Sequence, residues 1–211
     1  MERKRLYVIS SLHLGYDRED NIRTKVEQTL ETRLRLIESL STSLGQGSYF
    51  SDGLYKGLSD LLNHAIGDSL DNLIRKQNQE LYDAGGKRFH EYEIGKVAEI
   101  FARLRRKGIT FEFKHTETKK GISSRGIDLR DFEMVKNIIS NGSAENLLYV
   151  GSGHPLKYLE ESGLEWYRIR IAALDDAVVA TGSLPKRLER LQGLPRTTQS
   201  KMPIYWDIKY I

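Results

Sequence analysis

The stretch "NLLYVGSGHPLKYLEESGLEWYRI" (146–169) decides the fold class. Residues 147–150 are continuously apolar, as in a strand that is buried on both faces. A short helix follows from His154-Pro155, and the next stretch, "EWYRIRI" (165–171), alternates between apolar and polar residues as a strand does. A strand, a crossover helix and a second strand make up a right-handed unit of a parallel sheet. The stretch therefore predicts an α/β protein.

The same alternation continues in both directions along the chain. Apolar residues recur every three or four positions in helices, and every second position in strands that are covered on one side. Strands are expected at 6–9, 109–115 and 204–211, and helices at 21–44, 90–107 and 128–141. Between the first helix and a second helical region, "GQGSYFSDG" (45–53) is interpreted as a Gly/Ser turn.

We therefore expect residues 1–211 to form a single α/β domain with a mostly parallel sheet flanked by helices, a Rossmann-like three-layer arrangement. Residues 20–85 are expected to form a helical insertion within it. The leucine rows of this insertion could cover the sheet, or they could join copies of the chain into a homo-oligomer. The sequence does not choose between these two roles.

Composition narrows the functional classes. The chain has no cysteine, which excludes disulfides, thiolate nucleophiles and cysteine-ligated zinc. Apolar residues make up 39% and charged residues 29%, and no apolar run is long enough to span a membrane. We expect a cytoplasmic protein without a membrane partner. The net charge of +4 is a mild basic bias, but basic residues concentrate in 114–126 and 184–201.

In parallel sheets, ligands bind beyond the carboxyl ends of the strands, where the chain connections diverge. Three stretches are expected there: 10–15, 115–128 and 151–155. The loop 114–126 is the best candidate for binding phosphates, because glycine and serine let the backbone approach them and basic side chains neutralise them. The nucleic-acid-binding candidates are Lys114, Lys119, Lys120 and Arg125 from this loop, with Ser10 and His13 after the first strand.

A resemblance to one protein family indicates a chemical function for these stretches. Residues 103–135, together with 146–169, resemble the later half of a NYN domain, in the PIN-like ribonuclease superfamily. Arg125-Gly126-Ile127-Asp128 stands where that family has Lys-Gly-x-Asp, and Ser152-Gly153 stands where its Ser-Gly-Asp element begins. The segment "YVISSLHL" (7–14) is similar to the family's first strand. The likeness covers 5–14 and 90–171.

The resemblance implies a metal-dependent nuclease that holds Mg²⁺ or Mn²⁺, hard cations that prefer oxygen ligands. It implies Asp128 as the principal metal ligand and catalytic residue, Asp131 and Glu133 as further ligands, and His154 near the scissile phosphate. The sequence departs from the family at two places. The first-strand aspartate falls at Ser10, and His154-Pro155 stands where two aspartates are expected.

Each of these residues also has a structural interpretation. Asp128 and Asp131 are spaced like a helix cap followed by an acidic residue in the first turn. His154 could be a helix-opening residue, and Ser10 and His13 could bond only to turn backbone. The basic loop could be a solvated surface.

Two other nuclease or phosphatase patterns are incomplete. "VISSLHLG" (8–15) is similar to the first motif of calcineurin-like metallophosphoesterases, with His13 in place, but the later motifs of a two-metal site do not occur. Glu112-x-Lys114 suits the Glu-x-Lys of restriction-type nucleases, although the upstream acid is missing and cross-strand charge pairing explains it equally well.

The sequence therefore predicts a protein that acts on nucleic acid, with RNA favoured over DNA. Two hypotheses stay open: a metal-dependent phosphodiesterase, and a non-catalytic module that binds nucleic acid or protein and needs no cofactor. Clustering of carboxylates around Asp128 would favour the enzyme.

Overall fold

The computed structural model describes residues 4–11, 20–67, 89–116, 127–151, 154, 156–170 and 206–209. The strands are β1 (Arg5–Ser11), β2 (Gln46–Ser51), β3 (Thr110–Phe113), β4 (Glu145–Gly151), β5 (Glu165–Arg170) and β6 (Trp206–Lys209). The helices are α1 (Asp20–Leu44), α2 (Lys56–Gly67), α3 (Phe89–Arg105) and α4 (Ile127–Asn141), with one 3₁₀ turn at Lys157–Leu159.

These strands form one sheet in the order β3-β2-β4-β1-β5-β6. The first five are parallel, and β6 runs antiparallel to β5. The mostly parallel α/β fold expected from the sequence is confirmed. In particular, the continuously apolar stretch 147–150 is β4, which lies inside the sheet between β2 and β1.

Helices cover both faces of the sheet and give it three layers. Tyr7 and Ile9 of β1 face one core, which also contains buried side chains of α1 and α3. Leu6 and Val8 face the opposite core, against α4 and the 3₁₀ turn. On α1, Leu36, Ile37 and Leu40 are buried in the first core, so these leucine-row positions cover the sheet.

The segment 46–51 corrects the sequence interpretation, because it is a strand and not a Gly/Ser turn. Tyr49 and Phe50 point into opposite cores, as neighbouring residues of an internal strand do. Gly47 serves close packing, since a Cβ there would lie 2.6 Å from the Glu145 carbonyl oxygen and from the Phe111 ring. The segment 20–85 thus contributes an internal strand as well as helices.

Three of the stretches singled out from the sequence, 12–15, 117–126 and 184–201, fall outside the described residues. In the part of the chain that is described, no helix combines the length and the apolar character needed to cross a bilayer.

A side chain of α2 covers the outer edge of strand β3. The Asn63 amide donates from Nδ2 to the Phe113 carbonyl at 2.9 Å, and its Oδ1 accepts the Phe113 N–H at 2.8 Å. Asn63 therefore satisfies both outward backbone groups of Phe113, as a further strand would. Such coverage keeps a sheet edge from pairing with another chain.

We expect Asn63→Ala to lower the free energy of unfolding by about 1–2 kcal/mol, because two part-buried hydrogen bonds are lost. Asn63→Asp should cost part of this, since a carboxylate accepts the N–H and cannot donate to the carbonyl. Urea unfolding measures both changes. Asp60→Ala, at an exposed position of the same helix, is the control. Equal stability of Asn63→Ala and the control would contradict the assignment.

Candidate functional site

The connections of the sheet diverge between β2 and β4. From β2 the chain runs outward to β3, and from β4 it runs in the opposite direction, past β1, to β5. Neighbouring strands whose connections leave in opposite directions open a crevice at their carboxyl ends. The Asp52 N–H donates to the Tyr149 carbonyl at 2.9 Å and fixes the start of this crevice.

A histidine held between two aspartates fills the crevice. His154 Nε2 lies 3.0 Å from Asp52 Oδ2, and its Nδ1 is hydrogen-bonded to Asp131 Oδ1. The other oxygen of Asp131 accepts the Leu156 N–H at 2.9 Å. His154 is 4% exposed and Asp131 is fully buried. Since carboxylates only accept, both ring nitrogens of His154 donate when the aspartates are ionised, and the ring is then an imidazolium.

The surroundings keep His154 protonated at neutral pH. Burial alone lowers the pKa of a histidine, whereas hydrogen bonds to Asp131 and Asp52, and their charges, raise it. The balance raises the pKa of His154 to about 9. A buried positive charge thus stands between two buried carboxylates.

Two arginines complete the arrangement. Arg130, from the first turn of α4, forms an ion pair with Asp52. Arg168 of β5 is buried, donates from Nε to Ser10 Oγ at 3.0 Å and from Nη2 to the His154 carbonyl at 2.7 Å. We call Ser10, Asp52, Arg130, Asp131, His154 and Arg168 the strand-end cluster. It contains three cationic side chains and two anionic ones.

The start of the basic loop is anchored beside this cluster. Thr116 is fully buried, and its hydroxyl donates to the Ser51 carbonyl at 2.6 Å while its N–H donates to the Leu54 carbonyl at 2.8 Å. Asn137 of α4 donates to the Thr116 carbonyl at 2.8 Å. The chain therefore enters the basic loop next to Asp52, and α4 begins directly after this loop.

The structure brings together three of the residues that the sequence singles out: Ser10, Asp131 and His154. Glu133 is partly buried on α4 outside the cluster. Lys114 follows the edge strand β3, and its Nζ lies 2.6 Å from Glu112 Oε2. The two charges therefore pair with each other within one segment of the chain, which differs from the cross-strand pairing expected as the alternative to a restriction-type site.

Other predicted residues cannot be placed by their side chains. Asp128 lies in the first turn of α4, but its side chain is outside the described residues. His13, Lys119, Lys120 and Arg125 are also outside them. Their roles stay predictions.

Sequence reasoning missed Asp52, Arg130 and Arg168. Asp52 would have been a candidate if 46–51 had been recognised as a strand, because it follows that strand directly. The sequence offers one signal for Arg168: it shares a strand face with the apolar Trp166, and the structure shows that both are buried. Arg130 carried none.

Among the residues that the structure describes, no group of three or more histidine, aspartate or glutamate side chains is arranged to hold a metal ion. The two carboxylates of the strand-end cluster bond to cationic side chains and a backbone amide instead.

Comparisons of the chain with protein-family models, with curated proteins and with solved structures give no match. The resemblance to the NYN domain therefore stays a prediction from the residues.

The stability of the protein should fall as pH rises from about 6.5 to about 9. His154 binds its proton more tightly in the folded chain (pKa about 9) than in the unfolded chain (6.5), so its contribution is complete below 6.5 and is lost through 9. We expect a loss of about 3 kcal/mol, measured by urea unfolding at several pH values.

His154→Gln should flatten the pH dependence in this window, and His115→Gln should keep the wild-type slope. If His154→Gln does not fold, NMR titration of the wild-type imidazole gives the same test. A His154 ring that titrates at or below 6.5 would contradict the charged form.

Proposed function

We propose that the protein binds nucleic acid, with RNA favoured over DNA, at the carboxyl ends of β1, β2 and β4, and that it does so as a non-catalytic module. The observation that carries the proposal is the charge of the strand-end cluster. Among the residues that the structure describes there, cationic side chains outnumber carboxylates, which suits an anionic ligand better than a metal ion. The preference for RNA comes from the family resemblance alone, and a cytoplasmic location is part of the proposal.

The anchoring of the basic loop supports a phosphate-binding role. Thr116 and the start of α4 hold the two ends of segment 117–126 beside the crevice. The segment carries Lys119, Lys120 and Arg125. Basic side chains on such a loop neutralise phosphates and release counterions, which is the main source of affinity for nucleic acids.

The bonding of the two aspartates argues against hydrolysis at this cluster. Asp52 bonds to His154 and Arg130, and Asp131 bonds to His154 and the Leu156 amide. A metal ion that recruited either carboxylate would leave the buried imidazolium without one of its two partners. Breaking a buried ion pair in this way costs about 3–5 kcal/mol.

A metal-dependent phosphodiesterase is the second candidate. It is favoured by the spacing of Asp128 and Asp131, which are three positions apart in the first turns of the helix that borders the crevice, whereas Glu133 lies on another side of that helix. Asp128 would be the principal ligand of Mg²⁺ or Mn²⁺, with the other two assisting, and the metal would supply an activated water. His154 would then lie near the scissile phosphate.

Replacing Lys119, Lys120 and Arg125 by alanine should weaken RNA binding at least tenfold. The slope of log affinity against log salt concentration should also fall by about 2, since three phosphate contacts to a single strand are lost. Fluorescence anisotropy with a labelled single-stranded RNA at several salt concentrations measures both quantities.

The matched control replaces Arg105, Arg106 and Lys107 by alanine, which removes the same charge. These residues precede β3 and lie at the amino ends of the strands, opposite the crevice. If both triple variants bind equally, the interface is not at the strand ends. A DNA strand of the same sequence tests the preference for RNA.

Incubation with Mn²⁺ should leave RNA and DNA uncut if the binding module is correct, while the salt-sensitive binding persists. Metal-dependent cleavage that Asp128→Asn abolishes would overturn the module and establish the phosphodiesterase. Gel analysis of end-labelled strands, with and without a chelator, distinguishes the two candidates.

A further inference from the structure

The outer face of α4 exposes an unusual amount of apolar surface. Leu129 is 58% exposed, Phe132 48% and Ile139 41%. They are three of the four large exposed hydrophobic side chains in the described residues, and the fourth is Leu61 on α2. The Phe132 ring meets the Tyr158 ring edge-on, with centroids 5.4 Å apart, which extends the apolar surface toward the 3₁₀ turn.

These residues share one narrow stripe with Lys136. Leu129, Phe132, Lys136 and Ile139 are separated by three, four and three positions, so all four lie on the same side of the helix. The inward side carries Asp131, Met134, Val135 and Ile138, all buried. The separations of three, four and three positions are the same when counted from either end of the stripe. A face of this kind is complementary to itself across a two-fold axis.

We propose that a second copy of this chain covers the stripe, with the two α4 helices packed antiparallel about a two-fold axis. Leu129 then lies against Ile139 of the second copy, and Phe132 lies opposite Lys136 of the second copy. The proposal is independent of nucleic-acid binding and goes beyond it. It also moves the self-association surface away from the 20–85 segment, whose Leu36, Ile37 and Leu40 are used in the core.

Charge complementarity selects the antiparallel orientation. In a parallel pair, Lys136 would face Lys136 of the other copy, and like charges would repel. In the antiparallel pair, the ammonium group of Lys136 lies over the face of an aromatic ring, a favourable cation–π contact. Glu133 flanks the stripe and comes within reach of Lys136 of the second copy.

The size of the stripe sets the strength of the association. A stable interface buries about 800 Å² on each partner, and one helix face with four contacting side chains provides less. We therefore expect a reversible dimer with a dissociation constant in the micromolar range. Sedimentation velocity between about 1 and 100 µM should show the average mass rise from that of one chain toward that of two.

Leu129→Glu and Ile139→Glu should each weaken the dimer at least tenfold, because each places a carboxylate against the apolar side chain of the second copy that lies opposite. Leu61→Glu is the matched control, since it changes an equally exposed apolar residue on another helix. Circular dichroism checks that each variant is folded. A wild-type chain that stays monomeric throughout the range, or equal weakening by the control, would overturn the proposal.

The absence of cysteine from the chain allows a test of the register. Leu129→Cys and Ile139→Cys, mixed in equal amounts, should cross-link to each other under mild oxidation, because their Cα atoms face one another. Either variant alone should cross-link at least tenfold less, since its two copies are displaced by about 15 Å along the helices. Self-linking of Leu129→Cys as strong as that of the mixture would overturn the antiparallel arrangement.

Discussion

The strand-end cluster depends on one buried positive charge, the imidazolium of His154 between Asp52 and Asp131. Its two partners lie 102 and 23 residues away in sequence, one after β2 and one on α4. The ring therefore ties the end of β4 to a neighbouring strand and to the helix above it. Each buried carboxylate needs the cation and the cation needs both carboxylates, because an unpaired buried charge costs several kcal/mol. The cluster is stable only when complete.

Because β4 is a central strand, one of its residues contacts charged groups on both faces of the sheet. The Tyr149 carbonyl accepts the Asp52 N–H on the strand edge, while its side chain points into the opposite core. There its hydroxyl accepts a hydrogen bond from Arg33, which is also paired with Glu93 between α1 and α3. The Arg33 guanidinium lies 4.6 Å from the centroid of the Tyr149 ring. One residue of β4 thus positions charged groups on both faces of the sheet.

The sequence predicted the elements whose hydrophobic period is regular, such as β3 with its alternating Phe111 and Phe113, and β4 with its apolar run. It failed at β2, where Gly47 and Ser48 looked like turn residues although Gly47 is there for close backbone packing. That error hid Asp52, because an aspartate after a turn carries no signal and one after a parallel strand does. His154 and Asp131 were singled out separately. Their contact depends on tertiary structure, which local periodicity does not contain.

The place that His154 occupies gives this crevice a different charge from the carboxylate site of a metal-dependent nuclease. In a metal-dependent nuclease, carboxylates at the strand ends are neutralised by a divalent cation. Here His154-Pro155 stands where the resemblance expects two aspartates, and the imidazolium of His154 bonds to Asp52 and Asp131 while Arg130 supplies a second positive charge to Asp52. A bound proton is present at neutral pH whatever the metal concentration, so the geometry is preformed. With Arg130 and Arg168 added, cationic side chains outnumber carboxylates among the cluster residues that the structure describes, and this excess is the basis of the proposed phosphate-binding role.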